Sequence, residues 1–372
     1  MSTNKQIWAQ LSKSFGGDSF IRANEPIRLN WEVLEFTSPS LGDAVGAWGI
    51  PLGGITQLHG LEGCGKTFLA MLEAKKTLDA YPDSEVLWID AETSFNKKWA
   101  EKIGLDVSRL IVMPNNNGVD MFRAICGKVT KGKKTHDGIL DHVISGDLNV
   151  KLIVLDSIAQ IIPPAEEGRD FDEMEMAALA RFLPRAFRRL RPQLAKAKVA
   201  MLCINQARMN MEYGGGLTYS GGKGLRFNLD IAIKLHASTA KDSMLFDSNG
   251  KKCGHKIIAT VEKCRAGSNM YQAEFWLDFN EGIVKIGEEV AKLGDVYNII
   301  ERPNNTTWVY GDLSVRGKDA FFNKLDEDID LRNEILIKIK QAKESGVERA
   351  SAHLSEEGAE HARDSSGNFI DD

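Results

Sequence analysis

One stretch constrains this chain more than any other: Gly60-Leu61-Glu62-Gly63-Cys64-Gly65-Lys66-Thr67, which satisfies G-x-x-x-x-G-K-[ST]. Before it, Ile55-Thr56-Gln57-Leu58-His59 alternates as a short strand does. After it, Phe68, Leu69, Met71, Leu72 and Ala74 to Leu78 recur at helical spacing. A strand, a glycine loop and a helix in that order make a cradle for a triphosphate. Glycines let backbone N–H groups curl around the anion with no Cβ in the way, and the helix aims its positive end at the same charge. Lys66 is expected to reach the β- and γ-phosphates and the Thr67 hydroxyl to hold Mg²⁺. Gly60 through Phe68 are the residues expected against the nucleotide.

Composition narrows the setting. The chain has 372 residues, 43% hydrophobic and 27% charged, as in an ordinary globular protein. No apolar run approaches the ~18 residues of a membrane helix, and the polar, helix-patterned N-terminus does not read as a signal peptide. Five scattered cysteines without a C-x-x-C, and histidines without metal spacing, point to a reducing cytoplasm and no structural metal. The net charge of −5 is unevenly spread. From Glu344 onward eight acids face two arginines, so that tail carries −6 and the rest of the chain +1. A disordered acidic tail is expected there, and a near-neutral body permits a basic groove.

Apolar runs at Val86–Ile89, Leu110–Val112, Leu152–Leu155 and Val199–Ile204 read as strands covered on both faces, with helical patterns between them. The expected fold is α/β: a largely parallel sheet with helices on both faces. Three later strands, Asp230 to Leu235, Lys256 to Glu262 and Ala273 to Phe279, are expected to extend it by antiparallel pairing. Residues 1–36 read as a helix-and-strand arm too short of apolar residues for a core of its own. Residues 37–284 form the core, 285–343 a small α/β C-terminal domain with a hairpin at Trp308-Val309-Tyr310-Gly311, and 344–372 the tail.

Several residues carry candidate chemistry. Asp156 ends an apolar strand, in position to hold the water shell of Mg²⁺. Glu92 follows Trp88-Ile89-Asp90-Ala91 at the same sheet edge, either orienting a water for attack on the γ-phosphate or serving as a solvated loop residue or helix-cap partner. Gln206 ends a buried strand and opens a glycine-rich loop, either touching the γ-phosphate or making a structural hydrogen bond. Arg181, Arg185, Arg188, Arg189, Arg191, Lys196 and Lys198 form a run of cations that is a polyanion track or a solvated helix face. Pro184 within that run is expected to kink the helix. Residues 128–147, with Lys131, Lys133 and Lys134, form an insertion without an assigned role. The two long loops, 163–175 and 207–224, are of the length and composition that usually carry function.

Taken together the chain resembles the RecA family of homologous-recombination ATPases, its bacterial and phage recombinases in particular. The resemblance runs from about Ile7 to Ala342 and is carried by Gly49-Ile50-Pro51-Leu52-Gly53-Gly54, Ile89-Asp90-Ala91-Glu92, Ile204-Asn205-Gln206-Ala207-Arg208-Met209 and Gln272-Ala273-Glu274-Phe275, in the family's order and spacing. It implies a RecA-type P-loop ATPase core using ATP and Mg²⁺, with Glu92 activating water and Gln206 sensing the γ-phosphate. It places Trp99 against the adenine, and Lys263 and Arg265 on the neighbouring subunit's ATP. Loops 163–175 and 207–224 become DNA-binding loops. Met176 and Met211 would wedge between base triplets, and Arg181, Arg188, Arg208, Gly221, Gly222 and Lys223 would lie against the phosphate backbone. Arg265 stands where bacterial members carry lysine, and Lys223 where they carry a neutral residue. The implied function is a recombinase that forms a helical filament on single-stranded DNA and exchanges strands with double-stranded DNA, helped by single-strand-binding and loader proteins and without a membrane. A RecA-fold helicase and a non-catalytic paralogue or mediator are the alternatives.

Overall fold

In the computed structural model the described residues are 32–130, 133–167, 178–209, 217–265, 271–347 and 349. Within the N-terminal arm they are Ile7, Gln10, Leu11 and Ser14, all helical. The strands are β1 (Val33–Glu35), β2 (Gly49–Pro51), β3 (Ile55–Gly60), β4 (Glu85–Asp90), β5 (Leu110–Met113), β6 (Lys128–Thr130), β7 (Lys133–His136), β8 (Val150–Asp156), β9 (Ala200–Met209), β10 (Leu217–Tyr219), β11 (Ile231–Ala237), β12 (Met244–Phe246), β13 (Lys252–Cys264), β14 (Gln272–Asp278), β15 (Gly282–Val284), β16 (Glu301–Asn304), β17 (Thr307–Tyr310) and β18 (Leu313–Arg316). The helices are α1 (Pro39–Val45), α2 (Lys66–Ala80), α3 (Lys97–Lys102), α4 (Gly118–Cys126), α5 (Ile139–Ser145), α6 (Ala178–Ala197), α7 (Gly222–Arg226), α8 (Ile286–Val296), α9 (Lys318–Glu327) and α10 (Ile329–Glu344).

The main sheet runs β15-β14-β13-β11-β3-β9-β8-β4-β5, with β10 on β9 and β12 on β13. From β11 to β5 every neighbour is parallel. From β11 through β13 and β14 to β15 the pairings are antiparallel. The expectation that Asp230 to Leu235 would only extend the sheet antiparallel is thereby corrected: β11 lies parallel to β3 on one side and antiparallel to β13 on the other. A parallel neighbour needs a crossover, not an adjacent segment, and the chain between β3 and β11 supplies it.

Strand alternation divides the core into two layers. Leu152 and Val154 of β8 join Trp88, Phe68 and Leu69 on one face, while Ile153 and Leu155 join Leu183, Phe187, Leu190 and Leu194 of α6 on the other. Helices cover both faces of β3, β4, β8 and β9, but β5 lies at the sheet edge with Ile111 and Val112 exposed, so the reading of Leu110–Val112 as a strand covered on both faces is corrected. A third apolar cluster gathers Val290 and Tyr297 with Trp308, Phe321, Phe322 and Ile335 around the β16-β17-β18 sheet. The hairpin signal lies there, with Tyr310 paired to Leu313 around Gly311 and Asp312.

The helix α6 continues unbroken through both Pro184 and Pro192. Its buried apolar stripe, packed along its length, outweighs the hydrogen bonds that the prolines remove. The insertion is ordered in its described part: β6 and β7 pair as a hairpin and α5 follows. Beyond α10, Arg349 holds the buried Asp43 together with Lys343 and Tyr297. The remainder of the tail lies outside the described residues.

Candidate nucleotide and DNA site

The chemistry-bearing residues meet because four parallel strands end at one edge. Register sets Gly60 beside Gln206 and Asp90 beside Asp156, in the crevice outside the strand ends where α/β sheets bind ligands. The loop from Gly60 to Lys66 needs its glycines. A Cβ on Gly60 would fall 2.3 Å from the Leu235 carbonyl oxygen and 2.9 Å from Cys64 Sγ. Gly65, at φ 81°, opens α2 without a side-chain cap, leaving the first helical amides for an anion. Lys66 Nζ folds back across the loop, donating to the Leu61 carbonyl at 2.7 Å and the Gly60 carbonyl at 3.0 Å. Burial pushes the Cys64 thiol up, partly offset by the Lys66 charge.

Thr67 Oγ1 donates to Asp156 Oδ2 at 2.9 Å, while Asp156 Oδ1 is buried without a partner. Burial raises the Asp156 carboxyl to about 7, and the charges of Glu92 and Asp90 add to that. An orphaned carboxylate oxygen beside a threonine hydroxyl and two further acids suits a hydrated Mg²⁺. Asp90 accepts the amides of Ser94 and Phe95, closing the turn that carries Glu92. Glu92 Oε1 accepts from Ser157 Oγ and, at 2.6 Å, from Gln206 Nε2. The structure therefore joins two residues that the sequence offered separately, and adds Ser157. The signal for Ser157 was present: it is the polar residue directly after Asp156 at the same edge. The Asp156–Ser157 peptide is cis. Trp99 stacks on Phe68, ring centroids 4.6 Å apart and nearly parallel, and donates to the Phe279 carbonyl at 2.9 Å. One ring face is thus already taken by the protein.

The residues expected to touch DNA are less completely described. Met176 and Met211 lie outside the described residues, as do the side chains of Arg208 and Lys223. Arg181 and Arg188 are exposed on α6. Gly221 and Gly222 take φ 91° and 67°, and added Cβ atoms would meet Leu183 Cδ1 at 2.9 Å and Ala180 Cβ at 3.0 Å. The glycine pair thus lets α7 sit against α6. Lys263 Nζ donates to the Arg226 carbonyl and Arg265 to the Phe227 carbonyl at 2.8 Å. Burial and the neighbouring Arg265 pull Lys263 down to about 8. The fully buried Asp230 organises this corner: it binds Arg191 and accepts the Ile55 amide at 2.9 Å. Sequence reading did not single out Asp230, since an isolated aspartate before a strand carries no signal of its own.

An 11-stranded mixed sheet, a glycine loop ahead of α2 and an acid-rich strand edge define a P-loop nucleotide-binding α/β protein. The chain belongs to the RecA family: the RecA N-terminal domain family matches residues 3–284. Among similar proteins, the Protein RecA of Streptomyces avermitilis is 30% identical over 98% of this chain and 90% of its own length. The Protein RecA of Cytophaga hutchinsonii is 28% identical over 94% of each chain, and that of Streptomyces rimosus 29% over 91% of this chain and 84% of its own.

Proposed function

We propose that this protein is an ATP-dependent DNA recombinase that forms a helical filament on single-stranded DNA and pairs it with homologous duplex. The observation that carries the proposal is the Gln206–Glu92 contact at 2.6 Å beside Gly60. It ties the carboxylate best placed to orient a water to the residue that leads into the glycine-rich loop. Mg²⁺, held by the Thr67 hydroxyl and through water by Asp156, would neutralise charge on the β- and γ-phosphate oxygens. Lys66 exchanges its loop carbonyls for the triphosphate. Glu92 takes a proton from the attacking water as oxygen bonds to the γ-phosphorus and the bond to ADP breaks. Lys263 and Arg265 of an adjoining copy stabilise charge on the γ-phosphoryl group, releasing the Arg226 and Phe227 carbonyls that they hold here.

When a γ-phosphate draws the Gln206 amide away from Glu92, the loop at 207–224 settles on DNA. Phosphate contacts from Arg181, Arg188, Arg208 and Lys223 supply a salt-dependent affinity, Met176 and Met211 separate stacked triplets, and Watson–Crick pairing supplies the sequence match. Residues 1–36 dock on the next copy, 37–284 form the ATPase core, 285–343 the C-terminal domain and 344–372 the acidic tail. Single-strand-binding and loader proteins act with the filament. The five cysteines are all free thiols, which suits a cytoplasmic setting. No helix among the described residues is long and apolar enough to cross a membrane. ATP turnover with and without single-stranded DNA, imaged by negative stain in parallel, tests the proposal. DNA-stimulated turnover with helical filaments is expected. Closed rings, or turnover indifferent to DNA, would overturn it.

A further inference from the structure

The residues immediately before four of the functional positions converge beneath them. His59 precedes Gly60, Asn205 precedes Gln206, Ser220 precedes Gly221 and Glu262 precedes Lys263. The His59 ring, 2% exposed, meets Tyr219 edge-on with centroids 4.5 Å apart. Its Nε2 lies 3.2 Å from Glu262 Oε2, outside the straight geometry of a hydrogen bond, and its Nδ1 lies 3.2 Å from Gln57 Nε2. Gln57 Oε1 is 3.5 Å from Asn205 Nδ2, which donates to the Ser220 carbonyl at 3.0 Å.

Packing alone would favour apolar residues here, because buried polar groups cost stability unless they are hydrogen-bonded. This layer is polar and only partly satisfied: Asn205 Oδ1 and His59 Nε2 have no straight partner. Unpartnered atoms in such a layer are its costly members, and a rearrangement that pairs them is favoured. It spans β3, β9, β10 and β13.

We propose that His59 is a positioning residue that couples the phosphate loop to the return strand of the 207–224 loop and to the strand bearing Lys263 and Arg265. The proposal deepens the recombinase reading and rests on it. Occupation of the phosphate loop moves Gly60 and His59 together. Through Tyr219 and Glu262, His59 then sets how firmly Gly221 and Gly222 are held and where Lys263 points.

The test is ATP turnover by the full-length protein, titrated with single-stranded DNA, for the wild type, His59→Phe, His59→Gln, Glu262→Gln and the His59→Phe/Glu262→Gln double variant. Phe keeps the ring against Tyr219 and loses both polar contacts. DNA-free turnover is expected within about twofold of wild type, while DNA stimulation falls at least about fivefold, the lower range of measured couplings. His59→Gln should recover much of it, and the double variant should be no worse than His59→Phe alone. If His59→Phe does not fold, Glu262→Gln, at a side chain 24% exposed, carries the same comparison. Unchanged stimulation, or equal loss of DNA-free and DNA-stimulated turnover, overturns the coupling while leaving the recombinase reading intact. A wild type that DNA does not stimulate overturns that reading and the coupling with it.

Discussion

Replacing Arg349 by Met tests how the end of α10 is fastened to the core. Asp43 is fully buried and accepts from Lys343 Nζ, from Tyr297 Oη at 2.7 Å and from both Nε, at 3.0 Å, and Nη2 of Arg349. The two cations are themselves only 12% and 10% exposed. Burial alone would raise the Asp43 carboxyl, but the charges of Lys343 and Arg349 more than offset that and hold it below its ordinary value. Removing one partner of a buried pair costs about 3–5 kcal/mol. Since Lys343 and Tyr297 stay on the same carboxylate, ~3 kcal/mol is expected. Methionine retains most of the packing against Tyr271, whose ring lies 4.1 Å from the guanidinium carbon. Differential scanning calorimetry should record a fall in Tm of about 4–5 °C. Deleting 350–372 should leave Tm within about 1 °C of the intact chain, whereas deleting 344–372 should lower it as Arg349→Met does. An Arg349→Met variant as stable as wild type, or two deletions that behave alike, would refute the reasoning. It follows that any study of the acidic tail should cut after Arg349.

Glu92→Gln should lower ATP turnover by about 10²–10⁴-fold, as loss of a general base does, with nucleotide affinity retained in a fluorescence titration. The buried carboxyls of Glu73 and Glu289 are each raised by burial to about 7. Their folded values exceed their unfolded ones, so stability is fullest below about pH 4.5 and is lost as pH rises towards 7. Glu289→Gln, which can still accept from Ser38 and Ser40, should therefore raise Tm at pH 8 relative to wild type by more than at pH 5. Gly222→Ala places a Cβ 3.0 Å from that of Ala180 at a φ of 67°. It should cost about 1–3 kcal/mol in urea unfolding and weaken binding to single-stranded DNA in anisotropy titrations.

What could be read from the sequence was local. The strand, loop and helix around Lys66 announce themselves because a triphosphate cradle needs particular residues at adjacent positions. The near-continuous apolar runs give the parallel sheet for the same reason. Pairings between distant segments were not legible. Asp43 and Arg349 are 306 residues apart, and neither composition nor spacing links them. Asp230 looked like a strand boundary and proved to be the buried anchor of Arg191. His59 read as the last residue of a strand, and its importance lies in what Tyr219 and Glu262 bring to it. Pro184 and Pro192 both lie inside α6, whose buried stripe runs from Leu183 to Leu194. Trp99 stacks on Phe68 with one ring face, a contact between α2 and α3 that spacing along the chain does not show.

If a terminal phosphate governs the grip on DNA, affinity should depend on which nucleotide is bound. Affinity for a fluorescent single strand, measured with a non-hydrolysable Mg·ATP analogue and with Mg·ADP across a salt series, tests this most directly. Binding at least about tenfold tighter with the triphosphate is expected, a coupling of ~1.4 kcal/mol, falling linearly in log–log form as salt rises. Equal affinities with the two nucleotides would contradict it.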